Sequence, residues 1–181
     1  MLNKEPVTGR QVVAYLGLGS NMNDPERQIE SALSAISGLP STTLLRTSPL
    51  YSSKPWGKTD QPDFVNIVAE ISTGLDPNSL LRHAKQIEAE QGRTEGERWG
   101  PRPVDIDILL YGDRRLRSDI LTIPHIRMWE RRFVLQPLAD LRPDLISPDG
   151  RTINDLLSHA DIASQGLWRI IDSGKTGHEE K

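Results

Sequence analysis

Phe64-Val65-Asn66-Ile67-Val68-Ala69-Glu70-Ile71-Ser72 alternates with a period of two. Successive strand side chains point to opposite sides of a sheet, so Val65, Ile67, Ala69 and Ile71 share one face and Phe64, Asn66, Val68 and Glu70 the other. This is the clearest strand of the chain, and the neighbouring segments fall into order around it. On its N-terminal side, Lys54 to Pro62 holds two prolines, a glycine and Trp56 and reads as a loop. Thr42 to Ser53 is β-branched and apolar, with Pro49 restricting it to an edge or broken strand. Before it, Asp24-Pro25 is an N-cap followed by proline at the first helical position. Ile29, Ala32, Leu33 and Ile36 then recur at helical spacing up to a stop at Gly38. The first strand is Val12 to Leu18, bounded by Gly19-Ser20-Asn21, which reads as a tight turn.

The C-terminal side repeats the pattern. Asp76-Pro77 opens a second helix, Leu80, Ala84 and Ile87 form its apolar stripe, and Gly92 ends it. A polar loop, Gly92 to Pro103, precedes a strand in which Val104, Ile106, Ile108 and Leu110 alternate with Asp105, Asp107, Leu109 and Tyr111. The order is β-α-β-β-α-β, which predicts an α+β, ferredoxin-like core: an antiparallel sheet with two helices packed on one face. A less regular C-terminal elaboration follows. A helix is expected over 127–140, a turn at Ser147-Pro148-Asp149-Gly150, and a short helix over 153–160. Residues 1–11 and 172–181 are expected to be flexible extensions of a single domain spanning 12–171.

The 181 residues suit one domain with a core of its own. There is no cysteine, which excludes a disulfide framework, a thiol nucleophile and a thiolate metal site. The formal charge of −3 argues against a broad nucleic-acid-binding face, though not against a local basic pocket for an anion. No apolar run approaches the roughly 18 residues of a membrane span, and Met1 to Arg10 lacks the apolar centre of a secretory signal. A cytoplasmic protein with neither nucleic-acid nor membrane partners is expected.

Asp105-Ile106-Asp107 is the sharpest chemical feature. Two carboxylates at i and i+2 of a strand point the same way, about 6.6–7 Å apart along the chain. Such a pair repels itself unless a divalent cation lies between, and magnesium takes one or two protein carboxylates together with substrate phosphates. Aspartate is a poor strand former, yet two sit inside a strong strand. Alone, Asp-x-Asp also fits a solvated face of an edge strand. Arg93, Arg98 and Arg102 lie in the loop just before, and Arg131 and Arg132 form a second basic pair; guanidinium forks match phosphate oxygens. Trp56 and Trp99 sit in loops that read either as core anchors or as lids. Phe64, Asn66 and Phe133 offer stacking faces and an amide, the needs of a planar heterocycle, though both phenylalanines also suit a core. Gly17-Leu18-Gly19-Ser20-Asn21 is neither a Walker A loop nor a GxGxxG fingerprint. His125 falls in a turn near the basic pair, and no histidine spacing suits zinc. The same topology serves RNA recognition motifs, and the acidic pair would also suit a two-metal nucleotidyltransferase or nuclease. A small regulatory ligand-binding domain is a further alternative.

Five collinear stretches narrow these readings. Arg98-Trp99-Gly100-Pro101-Arg102-Pro103-Val104-Asp105-Ile106-Asp107-Ile108-Leu109 resembles the signature of the 6-hydroxymethyl-7,8-dihydropterin pyrophosphokinase family. Gly17 to Asn21, Asp60 to Asn66, Ile87-Glu88 with Gln91-Gly92-Arg93, and Thr122-Ile123-Pro124-His125 are also similar to it. The resemblance implies transfer of the β,γ-pyrophosphoryl unit of ATP to the hydroxymethyl group of a reduced pterin, with release of AMP, in folate synthesis. It implies two magnesium ions on Asp105 and Asp107, with Arg93 and Arg102 joining them as catalytic residues. It implies ATP contacts from Glu88, Arg93, Arg98, Trp99, Arg102, Ile108, Thr122, His125 and Arg131. Pterin contacts are implied for Ser53, Lys54, Trp56, Phe64, Asn66, Trp99 and Phe133, and dihydropteroate synthase as a functional neighbour. The chain departs from the family pattern at Glu95-Gly96-Glu97, where some members carry a second basic residue, at Ile126, where tyrosine is common, and at Trp56.

Overall fold

β1 (Val7–Ser20) is the centre of the molecule. In the computed structural model, which describes residues 7–56, 59–92 and 102–171, it is flanked by two antiparallel neighbours. On one side lies β5 (Asp105–Tyr111), on the other β4 (Phe64–Leu75). Along the outer side of β4 run β2 (Thr42–Thr47) and β3 (Tyr51–Ser53), and β3 also pairs with β8 (Leu167–Arg169). The sheet order is β5-β1-β4-β3-β8, with β2 beside β4. Pro49 falls between β2 and β3, so the expected broken strand is two short segments. β6 (Leu116–Arg117) and β7 (Thr122–Ile123) form a separate ribbon.

α1 (Pro25–Ser37) and α2 (Pro77–Glu90) begin where their sequence signals lie. Asp24 accepts from the Arg27 N–H at 3.4 Å, and Asp76 from Asn78 N–H at 3.0 Å and Ser79 N–H at 3.2 Å. Each capping bond satisfies an amide that has no partner within its own helix. Both helices cover one face of the sheet. There Ile29, Ala32 and Ile36 of α1 and Leu80, Ala84 and Ile87 of α2 pack on Ala14, Leu16, Leu18, Ile67, Ala69, Ile71, Ile106 and Ile108. The ferredoxin-like expectation thus holds for β1 to β5. On the opposite face, α3 (Arg132–Leu141), α4 (Ile153–Ser158) and α5 (Ala160–Ala163) form a second core. Val134, Leu135, Leu138 and Leu141 meet Tyr15, Val68, Leu109 and Leu110 there.

Several elements differ from the sequence expectation. β1 begins at Val7, not Val12, because the long β4 offers Leu75 as a partner for Val7 across a register shift. Gly19 and Ser20 are strand rather than turn: Gly19 pairs with Asn66 and Asp105, continuing the register in which Gly17 pairs with Val68 and Asp107. The alternation of β5 breaks at Leu109, where Tyr15 opposes Leu110 but Leu16 opposes Ile108. This bulge gives Leu109 and Leu110 to the α3 face and returns Tyr111 to the α1/α2 face. The helix expected over 127–140 is a 3-10 turn (Met128–Glu130) and α3, parted by Arg131 in an extended conformation with φ −117° and ψ 112°. Likewise His159 separates α4 from α5.

Candidate active site

The α3 face of the sheet is only half covered. At the Tyr15 end α3 packs on it; at the Ser20 end β1 carries Gly17 and Gly19, which project no side chain. A cleft with about 770 Å³ of free space, part of it continuous with solvent, lies over these glycines. A Cβ built on Gly19 would lie 3.4 Å from Asn66 Oδ1 and 3.8 Å from a Phe64 ring carbon; on Gly17 it would meet Leu109 at 3.4 Å. The central strand is therefore a bare floor between two furnished strands. β5 supplies Asp105 and Asp107 on one side, β4 supplies Phe64 and Asn66 on the other, and α3 adds Phe133 and Val134 from above.

Asp105 and Asp107 both open on the cleft, while Ile106 between them is fully buried in the α1/α2 core. Arg102 Nη1 donates to Asp105 Oδ2 at 2.7 Å. Beneath β5, Glu88 is 2 % exposed; its Oε1 accepts from Ile106 N–H at 2.7 Å and from Lys85 Nζ at 2.9 Å. Burial raises the Glu88 pKa, against the pull of Lys85 and the Ile106 amide. Glu88 thus holds the backbone between the two aspartates and does not line the cleft.

Arg131 completes the charged end. Only 9 % exposed, it lies over Trp56 and over Phe133, at 5.7 and 5.6 Å from the ring centroids. Burial lowers its pKa from the usual arginine value, with Asp107 the strongest opposing influence. At the aromatic end, Asn66 is buried and its Nδ2 donates to Ser53 Oγ at 2.9 Å and to the Tyr51 carbonyl at 3.3 Å. With the amide nitrogen so held, Oδ1 is turned toward the Gly19 floor as an acceptor. Lys54 lines the rim with its Nζ 3.0 Å from Asp63.

Of the residues singled out from sequence, Ser53, Lys54, Trp56, Phe64, Asn66, Arg102, Asp105, Asp107, Arg131 and Phe133 meet in this one cleft. Arg93, Arg98 and Trp99 lie outside the described residues. Besides Glu88, three others do not line it. The Ile108 side chain is buried on the α1/α2 face, as its place in the alternation requires, so it presents no side chain to a nucleotide in the cleft. Thr122 sits on β7 opposite Arg117. His125 stands behind the cleft, its N–H bonded to the Leu109 carbonyl at 2.9 Å; burial first, then Arg131, lowers its pKa below 6.5.

Asn21 is the residue that sequence reasoning passed over. It is 2 % exposed, and its Oδ1 accepts from Arg102 N–H at 2.9 Å while its own N–H donates to the Arg102 carbonyl at 3.2 Å. Its Nδ2 donates to Gln61 Oε1 at 3.0 Å and to the Pro62 carbonyl at 3.1 Å. One side chain thus ties the Arg102 segment to the loop leading into Phe64. Its place directly after a strand that carries two glycines was the available signal.

Paired carboxylates and arginines beside a flat aromatic slot, on a ferredoxin-like sheet, define an enzyme that brings an anionic donor to a planar acceptor. Comparison with known proteins gives the particular family. Residues 15–143 match the family of 7,8-dihydro-6-hydroxymethylpterin-pyrophosphokinase (HPPK). A 2-amino-4-hydroxy-6-hydroxymethyldihydropteridine pyrophosphokinase from Pseudomonas aeruginosa is 52 % identical over 156 residues, covering 86 % of this chain and 95 % of the relative. The protein of the same name from Haemophilus influenzae is 49 % identical over 146 residues, covering 81 % and 91 %. Among solved structures, a triple mutant of Plasmodium falciparum HPPK-DHPS with pteroate has the same fold, with a TM-score of 0.67 at 17 % identity. That match covers 89 % of this chain and 47 % of the Plasmodium chain. The chain belongs to the HPPK family and is a pyrophosphokinase.

Proposed function

We propose that this chain transfers the β,γ-pyrophosphoryl group of ATP to the hydroxymethyl group of 6-hydroxymethyl-7,8-dihydropterin, releasing AMP, in folate biosynthesis. The family and the names of its relatives support the reaction. The observation that carries the residue roles is the shared floor of Gly17 and Gly19, which sets the carboxylates of β5 and the aromatic slot of β4 and α3 in one cleft.

Phe64 and Phe133 stack on the pterin, and Asn66 Oδ1 accepts from its ring edge. Ser53, Lys54 and Trp56 bound the slot. Arg102 and Arg131 meet the triphosphate, with His125, whose pKa burial lowers, beside ATP. Asp105 and Asp107 would hold two magnesium ions. The donor set fits this metal: two hard carboxylates open on the cleft. When bound, magnesium neutralises phosphate charge and draws the two substrates together. The pterin hydroxyl oxygen attacks the β-phosphorus, the bond between that phosphorus and the α,β-bridging oxygen breaks, AMP leaves with the electron pair, and the hydroxyl proton passes to solvent. The protein's share is alignment, charge neutralisation and exclusion of water.

Residues 12–171 act as one catalytic domain in the cytoplasm; among the described residues no helix is long and apolar enough to cross a membrane. The Plasmodium chain named HPPK-DHPS supports dihydropteroate synthase as a functional neighbour. The test is to incubate the protein with ATP, magnesium and 6-hydroxymethyl-dihydropterin and to assay AMP with and without the pterin. Pterin-dependent AMP is expected. Free pyrophosphate in place of AMP indicates nucleotidyl transfer and overturns the reading.

A further inference from the structure

The family match ends at residue 143, but the fold continues through α4 and α5 into β8. This last segment returns to the cleft from outside. The break at Arg131 leaves the Arg132 N–H and the Glu130 carbonyl at adjoining helix ends, where no partner exists within either helix, and α3 has no side-chain cap of its own. Gln165 supplies both missing partners. Its Oε1 accepts from Arg132 N–H at 2.9 Å and its Nε2 donates to the Glu130 carbonyl at 2.8 Å. Arg132 answers in kind: its Nη1 donates to the Ala163 carbonyl at 2.8 Å and to the Gln165 carbonyl at 3.0 Å. Two hydrogen bonds thus grip the backbone on either side of Arg131, two residues before Phe133, and two more tie the Arg132 side chain to the carbonyls of Ala163 and Gln165. Two residues beyond Gln165, β8 starts and pairs with β3, setting Leu167 opposite Ser53 on the other wall of the cleft.

We infer that Gln165 is a positioning residue for pterin binding, an external cap that fixes the Glu130–Arg132 backbone so that Arg131 and Phe133 stand correctly over the cleft floor. The inference rests on the reading of Phe133 as a pterin contact. Gln165 itself touches neither substrate. It acts at the one point where the chain must be extended rather than helical for Arg131 to lie across Trp56 and Phe133. A regular helix through this point would satisfy its own amides and would turn Arg131 to a different azimuth.

The test is steady-state kinetics of the full chain with ATP and 6-hydroxymethyl-dihydropterin, alongside thermal melts. Gln165→Met keeps the length and removes both hydrogen bonds; the pterin KM should rise on the order of tenfold, with the KM for ATP within about twofold of the parent. Gln165→Glu retains the acceptor for Arg132 N–H and should fall between the two. Arg132→Met, which loosens the same grip from the other side, should shift the pterin KM in the same direction. A pterin KM within about twofold of the parent in Gln165→Met overturns the inference, and so does a fall in kcat alone that tracks loss of folded protein. Phe133→Ala separates the two levels. If it raises the pterin KM and Gln165→Met does not, the cap fails and the pterin reading stands; if it leaves the pterin KM unchanged, the pterin reading fails and the inference with it.

Discussion

The two faces of the central sheet are made by the same strands and obey opposite rules. On the α1/α2 face, β1, β4 and β5 present Ala14, Leu16, Leu18, Ile67, Ala69, Ile71, Ile106 and Ile108, all buried and all apolar. One residue away along each strand, the other face carries Gly17 and Gly19, Asn66, Asp105 and Asp107. These are poor strand formers that sheets tend to avoid. The first face supplies stability through burial. The second gives up side-chain packing and accepts two like charges so that a ligand can lie on it. Strand pairing with a buried partner face is what lets such residues be held in fixed register. Changes on one face should therefore affect folding, and changes on the other should affect turnover.

The largest separation is expected at the aspartates. Asp105→Asn and Asp107→Asn should each lower kcat/KM on the order of 10³-fold with little change in melting temperature, because relief of the carboxylate repulsion is offset by the lost attraction to Arg102 or Arg131. If either variant loses activity only in proportion to folded protein, the two faces are not functionally distinct. Ile71→Ala makes the converse test. It should cost about 2–5 kcal/mol of stability, read by urea titration, with kinetic constants of the folded enzyme preserved. Gly19→Val sits between the faces. Its Cβ has room beside Asn66 and Phe64 and a β-branched residue suits a strand, so folding should hold. The added methyl groups occupy the floor, and the pterin KM should rise about tenfold or more by steric exclusion.

The smallest effect concerns His125. Its folded-state pKa lies below the ordinary 6.5, through burial and Arg131. The contribution is therefore complete above that value and is lost as pH falls through the folded pKa. Urea titrations from about pH 8 to about pH 5.5 should show the wild type losing more stability than His125→Gln. Equal slopes would place the imidazole in a solvated setting.

The strand alternation of β4 and the Asp-Pro caps of α1 and α2 were legible because local chemistry alone specifies them: period two fixes a face, and an N-cap carboxylate fixes a helix start. The acidic pair was legible for the converse reason, as two residues that a strand would not choose. Gly19 misled, since glycine signals a turn unless the neighbouring strands are known to need an empty floor. The Leu109 bulge and the break at Arg131 were not readable either, because both are imposed by the distant packing of α3. The Ile108 side chain, by contrast, was legible, because the alternation of β5 already sets it on the apolar face, where the core holds it. Gln165 has no local signal for its capping role, because the Glu130 and Arg132 groups it caps lie more than thirty residues away.

The central claim is that Asp105 and Asp107 share the cations that join a triphosphate to the pterin alcohol. Its most direct test is a crystal grown with a non-hydrolysable ATP analogue, the pterin and manganese in place of magnesium, read by anomalous scattering. Two peaks bound by both carboxylates, between the phosphates and the pterin hydroxyl, are predicted. A fully bound nucleotide with no peak at either carboxylate would contradict the account.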